Sequence, residues 1–193
     1  MSHGSIFNFD KPETPTQWII FLAAIGITLT SPAGTRAFLK ELNKHVFKEE
    51  ISKGVKYESV QLSRALYGLK KRKFIKIKKV GDKTIIELTE RGKKRKLEYD
   101  IERLKILKQD MWDGKWRMLM FDIPESKKNA RESLRGKLKN LGFIQFQKSV
   151  WIYPHPCDNE VDFITEFFKI AEHVSLITVK IDNDRPLRTK FNL

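Results

Sequence analysis

The chain has 193 residues, of which 40% are hydrophobic and 11% aromatic, which is enough for one or two domains with apolar cores. Lys and Arg number 38 against 24 Asp and Glu, so the net charge is +14. A single cysteine, Cys157, excludes an intrachain disulfide framework and is typical of a reducing cytoplasm, which is the expected location. The opening residues 1–5 resemble an expression remnant and are left out of the fold prediction.

The positive charge is concentrated in one segment. Between Arg64 and Lys108 there are 17 basic and 6 acidic residues, so this segment carries +11 of the net charge. A block of one sign usually faces a polyanion, with nucleic acid ahead of an anionic membrane surface. The alternatives are a solvated basic face and a purely structural interaction module with incidental charge. Charge and pattern together favour nucleic acid.

The most apolar stretch, Trp18–Leu29, favours a core helix over a membrane span. It is about a dozen residues long, whereas a span needs about twenty. No basic segment precedes it, because Lys11 is offset by Asp10 and Glu13. We therefore predict a buried helix that begins after Pro15 and no membrane partner.

Residues 15–105 have the pattern of a winged helix-turn-helix domain. A second helix is predicted over Thr35–Phe47 and a third over Ser59–Lys71, and a basic hairpin follows. The order of three helices and a hairpin is that of a winged helix. The hairpin strands are predicted at Phe74–Val80 and Thr84–Thr89, with Thr89 as the N-cap of a further helix. The inner face of the third helix is predicted to contain Val60, Leu62, Ala65, Leu66 and Leu69.

The third helix is the predicted recognition element. The major groove of B-DNA is about 12 Å wide and admits one helix, whose Arg, Gln and Ser side chains can pair with base edges. Lysines and arginines that follow would hold phosphates and fix the register. The alternative is that these polar side chains only face water. The predicted DNA-binding residues are Gln61, Ser63, Arg64, Tyr67, Lys70, Lys71, Arg72 and Lys73, with Lys76, Lys78, Lys79 and Lys83 on the wing.

Residues 112–193 have the order strand, helix, strand, strand, helix, strand of a ferredoxin-like βαββαβ domain. The whole chain is thus predicted to be α+β. An apolar strand over Lys115–Phe121 stops at Asp122, and a helix over Ser126–Leu141 ends at Gly142 in a left-handed cap. The remaining predicted elements are strands at Phe143–Gln147 and Ser149–Tyr153, a helix capped by Asp158, a strand at Val174–Ile181 and an irregular tail at Asp182–Leu193.

Two segments of this domain carry a family resemblance. WDGKWRMLMFDIPE, from Trp112, and LGFIQFQKSVWIYP, from Leu141, resemble the central domain of PaaX-type transcriptional repressors. The same blocks resemble the small ferredoxin-like nuclease subunit of the CRISPR spacer-integration complex. ELTERGKKR, from Glu87, more loosely resembles the amino-terminal domain of the repressors. The resemblance implies a homodimeric repressor on double-stranded DNA without a cofactor, and it makes the tail a candidate for contact with the partner protomer.

Asp122 carries the alternative function. In the CRISPR subunit, an aspartate at the matching position pairs with its dimer mate, and the two hold a divalent metal for phosphodiester cleavage. The resemblance therefore implies, as an alternative, a Mg²⁺-dependent endonuclease with Asp122 as catalytic and metal residue, or a non-catalytic scaffold. An Asp in this position can also accept backbone N–H bonds from the next helix. One carboxylate per chain is a sparse metal site, so a protein without enzymatic activity is favoured.

Four other residues suggest a functional role that the pattern does not favour. His155 and Cys157 are close in sequence, but one His and one Cys without a second pair are more typical of a loop than of a metal site. Trp116 and Arg117 suggest stacking on bases, yet residues in an apolar strand more often pack and pair at a domain or dimer interface.

Overall fold

The computed structural model describes residues 8–10, 12–25, 28–30, 59–81 and 83–193. The chain divides into two compact units, Lys11–Glu102, here the amino unit, and Arg103–Leu193 with the segment that ends at Asp10, here the carboxyl unit. The predicted second helix, Thr35–Phe47, lies outside the described residues.

Elements are numbered here in chain order within those residues. The strands are β1 (Asn8–Phe9), β2 (Thr28–Thr30), β3 (Ile75–Val80), β4 (Lys83–Leu88), β5 (Leu104–Lys105), β6 (Trp116–Phe121), β7 (Ile144–Gln147), β8 (Val150–Tyr153) and β9 (Val174–Val179). The helices are α1 (Pro15–Ala24), α2 (Ser59–Lys71), α3 (Glu90–Arg103), α4 (Lys128–Asn140), α5 (Asp158–Phe168) and α6 (Arg185–Phe191), with 3-10 turns at Glu125–Lys127 and Ala171–His173. None of the helices in the described ranges is both long and apolar enough to cross a bilayer.

Helix α1 begins as predicted but ends early. Thr14 and Gln17 form a reciprocal capping box, and Pro15 occupies the first helical position. The helix ends at Ala24 rather than at the predicted Leu29, and β2 pairs antiparallel with β4. The residues after α1 form a strand because Thr28–Thr30 pair with residues 83–85 of β4, and the β-branched threonines suit that conformation.

The core of the amino unit lies between α1, α2 and a three-stranded sheet of order β2-β4-β3. Helix α2 has the predicted bounds, and Leu62 and Leu69 expose no surface. Full burial of one leucine side chain contributes about 1.5–3 kcal/mol, so this face holds the helix in place. Val60 was wrongly predicted to be internal and is 51% exposed. It lies on the outer face because Val60, Arg64, Tyr67 and Lys71 recur at helical spacing.

Thr89 joins the hairpin to the next helix, as predicted. Its side-chain oxygen accepts a hydrogen bond from the N–H of Gly92 at 3.1 Å, which caps α3. The same hydroxyl donates to the carbonyl of Lys73 at 2.6 Å, and the Thr89 N–H donates to the carbonyl of Phe74 at 3.0 Å. The start of α3 is therefore fastened to the end of α2.

The carboxyl unit is built on a four-stranded antiparallel sheet of order β7-β8-β6-β9. With α4 after β6 and α5 after β8, this is the ferredoxin-like arrangement that the sequence predicts. Helix α4 ends as predicted, because Gly142 has φ +90 and its N–H bonds to the carbonyl of Lys139, while Phe143 bonds to that of Leu138. Asp158 was predicted to be a cap, but it is the first residue of α5, and the cap position is Cys157.

The tail is helical rather than irregular, which corrects the prediction. Leu187 and Phe191 are four positions apart and therefore lie on the same side of helix α6. They pack against Trp116 and Ile152 on one face of the sheet. The buried Asp184 side chain accepts hydrogen bonds from Trp116 Nε1 at 3.0 Å and from Arg188 Nε at 2.8 Å. The tail therefore covers part of its own sheet. The opposite face belongs to α4, whose Arg135 lies 5.7 Å from the Phe121 ring centroid.

A short ribbon completes the carboxyl unit. Strands β1 and β5 pair antiparallel, and Lys105 Nζ lies 2.6 Å from Asp10 Oδ1. The Phe9 ring meets Phe163 of α5 edge to face, with 6.2 Å between centroids. Residues 104–105 thus belong to the carboxyl unit, although they fall inside the predicted amino-terminal domain.

Candidate nucleic-acid interface

The outer face of α2 presents a continuous polar surface. Its inner face is buried through Leu62, Leu66 and Leu69, so side chains at the alternate helical positions point to solvent. Tyr67 is 68% exposed, which is unusual for a large aromatic residue. The exposed residues of this surface, here the basic helix surface, are Gln61, Ser63, Arg64, Tyr67, Lys70 and Lys71, followed by Arg72 and Lys73 after the helix.

The cations of the basic helix surface have no carboxylate partner among the described residues. Two arginines of α4 in the carboxyl unit are paired instead, with Arg131 Nη2 2.7 Å from Glu125 and Arg135 Nη1 2.8 Å from Glu132. Like charges that gather on one helix destabilise it slightly. An uncompensated cluster of this kind is expected where a polyanion supplies the counter-charge. The cluster consists of Arg64, Lys70, Lys71, Arg72 and Lys73.

Helix α2 ends in a left-handed residue that is not glycine. Lys73 has φ 58, and its N–H donates to the carbonyl of Lys70 at 3.0 Å. The N–H of Phe74 donates to the carbonyl of Leu69 at 2.9 Å, which completes the end of the helix. The left-handed conformation costs a non-glycine residue about 1–2 kcal/mol. Because lysine is less stable than glycine in this conformation, its side chain is a candidate for a functional role.

The β3–β4 hairpin, which the sequence predicts to be a wing, has one lysine whose charge is already paired. Lys76 on β3 is exposed, and no described carboxylate pairs with it. Lys78 Nζ lies 2.7 Å from Glu87 Oε2 on β4, so its charge is already balanced within the hairpin. The backbones of Lys79 and Lys83 lie on β3 and β4. The four predicted wing residues thus lie on one hairpin, and one of them, Lys78, is ion-paired within it.

Sequence reasoning missed three residues near this surface. Val60 shares the outer face with Arg64 and Tyr67, and an apolar side chain there suits contact with a thymine methyl. Arg91 and Lys94 are exposed on α3, and no described carboxylate pairs with either. The i, i+4, i+7 spacing of Val60, Arg64 and Tyr67 could have placed Val60 on the outer face from the sequence. The location of Arg91 and Lys94 near this surface could be found only from the tertiary structure.

Asp122 lies at the exposed end of β6, as predicted. A cavity of about 510 Å³ opens beside it, with Glu172 and His173 on its wall. Lys127 Nζ binds the Glu172 carboxylate at 2.9 Å, and this contact lowers the pKa of Glu172. The second carboxylate of the cavity is therefore engaged. Within the described ranges, no group of three His, Cys, Asp or Glu side chains is arranged to hold a metal ion.

Arg117 and Trp116 are buried, so neither side chain offers an exposed surface on which a base could stack. Arg117 is 6% exposed, and its guanidinium donates to both oxygens of Asp113 at 2.8 and 2.7 Å and to the carbonyl of Pro154 at 3.0 Å. The hydrogen bonds from Arg117 lower the pKa of Asp113 to about 2. Both residues pack and pair with protein inside the carboxyl unit.

His155 and Cys157 lie in the loop between β8 and α5, and both are buried. Burial raises the pKa of the Cys157 thiol to about 12 and lowers the pKa of His155. The thiol is thus protonated at neutral pH, which makes it inert as a nucleophile.

Comparison with known proteins shows which family the carboxyl unit is similar to. Residues 109–190 match the family model of the PaaX protein central Cas2-like domain. This range confirms the resemblance predicted from the Trp112 and Leu141 segments. No curated protein matches the chain.

Proposed function

We propose that this chain, whose residues 109–190 match the family model of the PaaX protein central Cas2-like domain, is a double-stranded DNA-binding transcriptional regulator, specifically a repressor that acts as a homodimer. The observation that carries the proposal lies in the other unit. Five exposed cations on and directly after one helix have no counter-charge among the described residues. A polyanion supplies that charge most simply, and duplex DNA also matches the dimensions of a single exposed helix.

In the proposed complex, α2 enters the major groove. Gln61, Ser63 and Arg64 carry the hydrogen-bonding groups that read base edges, with Arg suited to guanine and Gln to adenine. Lys70 and Lys71 at the end of the helix and Lys76 on the wing hold phosphates on either side. The wing therefore positions the helix, while α2 selects the sequence.

Affinity should depend steeply on salt. Neutralising about six phosphates gives a slope near −5 in a plot of log K against log salt concentration. A binding constant that does not change between low and physiological salt would contradict the proposal.

Homodimerisation is proposed through the sheet face that α6 leaves partly open. Beyond α6, this face carries Met120 paired with Val150 and Met118 paired with Ile177, and Ile177 is 40% exposed. An apolar sheet face of this kind supports self-association. A two-fold dimer presents two copies of α2, so its operator should be a pseudo-palindrome.

Selection of genomic fragments with the full chain, followed by sequencing, tests the proposal directly. Wild-type protein should enrich a pseudo-palindromic motif, and Arg64→Ala should weaken binding to it about tenfold, since a good bidentate base contact contributes about 1–3 kcal/mol. Lys139→Ala is the matched control, because Lys139 is an exposed cation of the carboxyl unit. Random enrichment together with equal affinities of the two variants would reject a sequence-specific regulator.

The alternative function is a Mg²⁺-dependent endonuclease. The observation in its favour is that Asp122 is exposed and lies beside a cavity. Such a site needs more oxygen ligands than the described residues bring together, so the carboxylate of a second protomer would have to join it. Incubation of RNA and DNA with Mg²⁺ or Mn²⁺ decides between the two functions. Cleavage by the wild type that Asp122→Ala abolishes would establish the nuclease.

A further inference from the structure

A second basic feature of the amino unit lies between the end of α2 and the start of α3. It is a cavity of about 340 Å³ lined by four cationic side chains, one carboxylate and one aromatic ring. None of the DNA-binding residues predicted on α2 before Arg72 lines it. Its residues are Arg72, Phe74, Arg91, Lys94, Arg95 and Glu98.

The cavity has an uncompensated positive charge. Arg95 Nη1 lies 2.6 Å from Glu98 Oε2, and this hydrogen bond raises the pKa of Arg95, so the two groups balance each other. Arg72, Arg91 and Lys94 have no ion pair with any carboxylate that the structure describes. Three unbalanced cations from two helix ends therefore face one space.

Two of these cations contact the Phe74 ring. The Arg72 guanidinium lies 5.3 Å and the Arg91 guanidinium 5.4 Å from the ring centroid. A cation over an aromatic face gains about 0.5–1 kcal/mol at an exposed site, which offsets part of the repulsion between them. The ring thus orders two guanidinium groups before any ligand binds.

The backbone under the cavity is tightly constrained. A Cβ atom added to Gly92 would lie 1.9 Å from the carbonyl oxygen of Phe74, so only glycine allows this approach of α3. The Thr89 hydrogen bonds to Lys73 and Phe74 fasten the same junction. Arg72 and Arg91 therefore stand on two segments locked to each other, which is the arrangement of a preorganised binding site.

We propose that Arg72, Arg91 and Lys94 form a phosphate-binding site with the Phe74 ring as its floor. Guanidinium forks present paired N–H donors that match phosphate oxygens, and the lysine adds a point charge. The volume lies at the lower end of small-ligand sites, which admits a phosphate with its ester group. The phosphate belongs either to the DNA backbone or to a free nucleotide. The first assignment rests on the proposed function, and the second does not.

Two arms of one experiment distinguish these sources. The site variant is Arg91→Gln with Lys94→Gln, and the control is Lys139→Gln with Lys180→Gln, which removes the same charge from exposed positions of the carboxyl unit. In the first arm, fluorescence polarisation follows binding of a labelled random duplex across salt concentrations. In the second, calorimetry at low salt follows binding of inorganic pyrophosphate. Phe74→Leu is a third variant, which leaves the charge unchanged and removes only the ring.

A backbone site predicts about a tenfold loss of duplex affinity in the site variant and a salt slope that is smaller by about two, against less than a twofold loss in the control. A free-nucleotide site predicts unchanged duplex affinity and loss of pyrophosphate binding. In either case Phe74→Leu should show part of the same loss. Equal behaviour of site variant and control in both arms overturns the site. If the wild type binds no duplex, the regulator proposal fails, and the pyrophosphate arm still decides on the site.

Discussion

At the scale of single residues, Lys73 and Lys169 share one backbone conformation but differ in their surroundings. Both have left-handed backbones, with φ of 58 and 56, and both follow the last turn of a helix where glycine is usual. Lys73 lies among uncompensated cations in the amino unit, whereas Lys169 belongs to the carboxyl unit. The pair therefore separates the effect of backbone strain from that of charge.

Lys73→Gly should raise the free energy of unfolding by about 1 kcal/mol, because glycine relieves the left-handed strain. It should also weaken duplex binding, because one phosphate contact is lost, and reduce the salt slope by about one. Urea denaturation and polarisation at several salt concentrations measure the two effects. Lys169→Gly should stabilise to a similar extent and leave duplex affinity unchanged. A loss of affinity in both variants would show that Lys73 has no special role.

Asp113 supplies a pH dependence whose sign follows from its depressed pKa of about 2. The carboxylate is bound to Arg117 in the folded state, so its stabilising contribution is present above the unfolded pKa near 3.9 and is lost as the pH falls towards 2. The side chain of Asp113 is 34% exposed, so solvent reduces this contribution to about 1 kcal/mol. Asp113→Asn should lower stability at pH 7, and the difference from wild type in denaturant titrations should shrink below pH 4. A constant difference would mean that the ion pair is unimportant.

At the scale of elements, the predicted bounds are accurate where local residues mark the ends of a helix or strand. They are wrong where the element depends on pairing with a distant part of the chain. Helix α2 has its predicted bounds, since leucine spacing and the change to lysines mark them locally. Helix α1 is shorter than predicted because Thr28 pairs with Ile85 on a strand far along the chain. Helix α6 was missed because its apolar side needs Trp116 and Ile152 as partners.

Leu187→Ala tests whether α6 is part of the carboxyl core. Leu187 is 7% exposed against Trp116 and Ile152, so truncation should lower the free energy of unfolding by about 2–3 kcal/mol. Urea denaturation followed by tryptophan fluorescence measures the loss. Leu193→Ala, at a position 43% exposed, should change stability by less than about 0.5 kcal/mol. Similar small losses in both variants would mean that the tail does not depend on this contact.

At the scale of the whole molecule, the two units differ in how they use charge. The carboxyl unit balances many of its cations with carboxylates, as in the pairs of Arg117, Lys127 and Arg131. Within the part of the amino unit that the structure describes, cations without an ion pair gather at two places, the basic helix surface and the cavity around Phe74. This division of charge fits the proposed division of labour, in which one unit binds DNA and the other joins protomers.

Ile177→Glu should weaken the proposed dimer, because a buried carboxylate on the open sheet face is not paired there. Analytical ultracentrifugation should show a shift from dimer to monomer, with operator affinity reduced at least tenfold. Ile25→Glu is the control, since Ile25 is 61% exposed on the amino unit. Retention of the dimer by Ile177→Glu would move the interface elsewhere.

The sequence by itself determined the order strand, helix, strand, strand, helix, strand in the carboxyl unit, the span of α2, the basic hairpin, and the exposed cations of α2. These features depend on spacing, capping residues and turn glycines within a few positions of each other. Only the tertiary structure decided that α1 yields to a strand, that α6 covers its own sheet, and that Arg72 and Arg91 share the Phe74 ring. Each of these depends on contacts between residues distant in the chain, and local periodicity carries no information about such contacts.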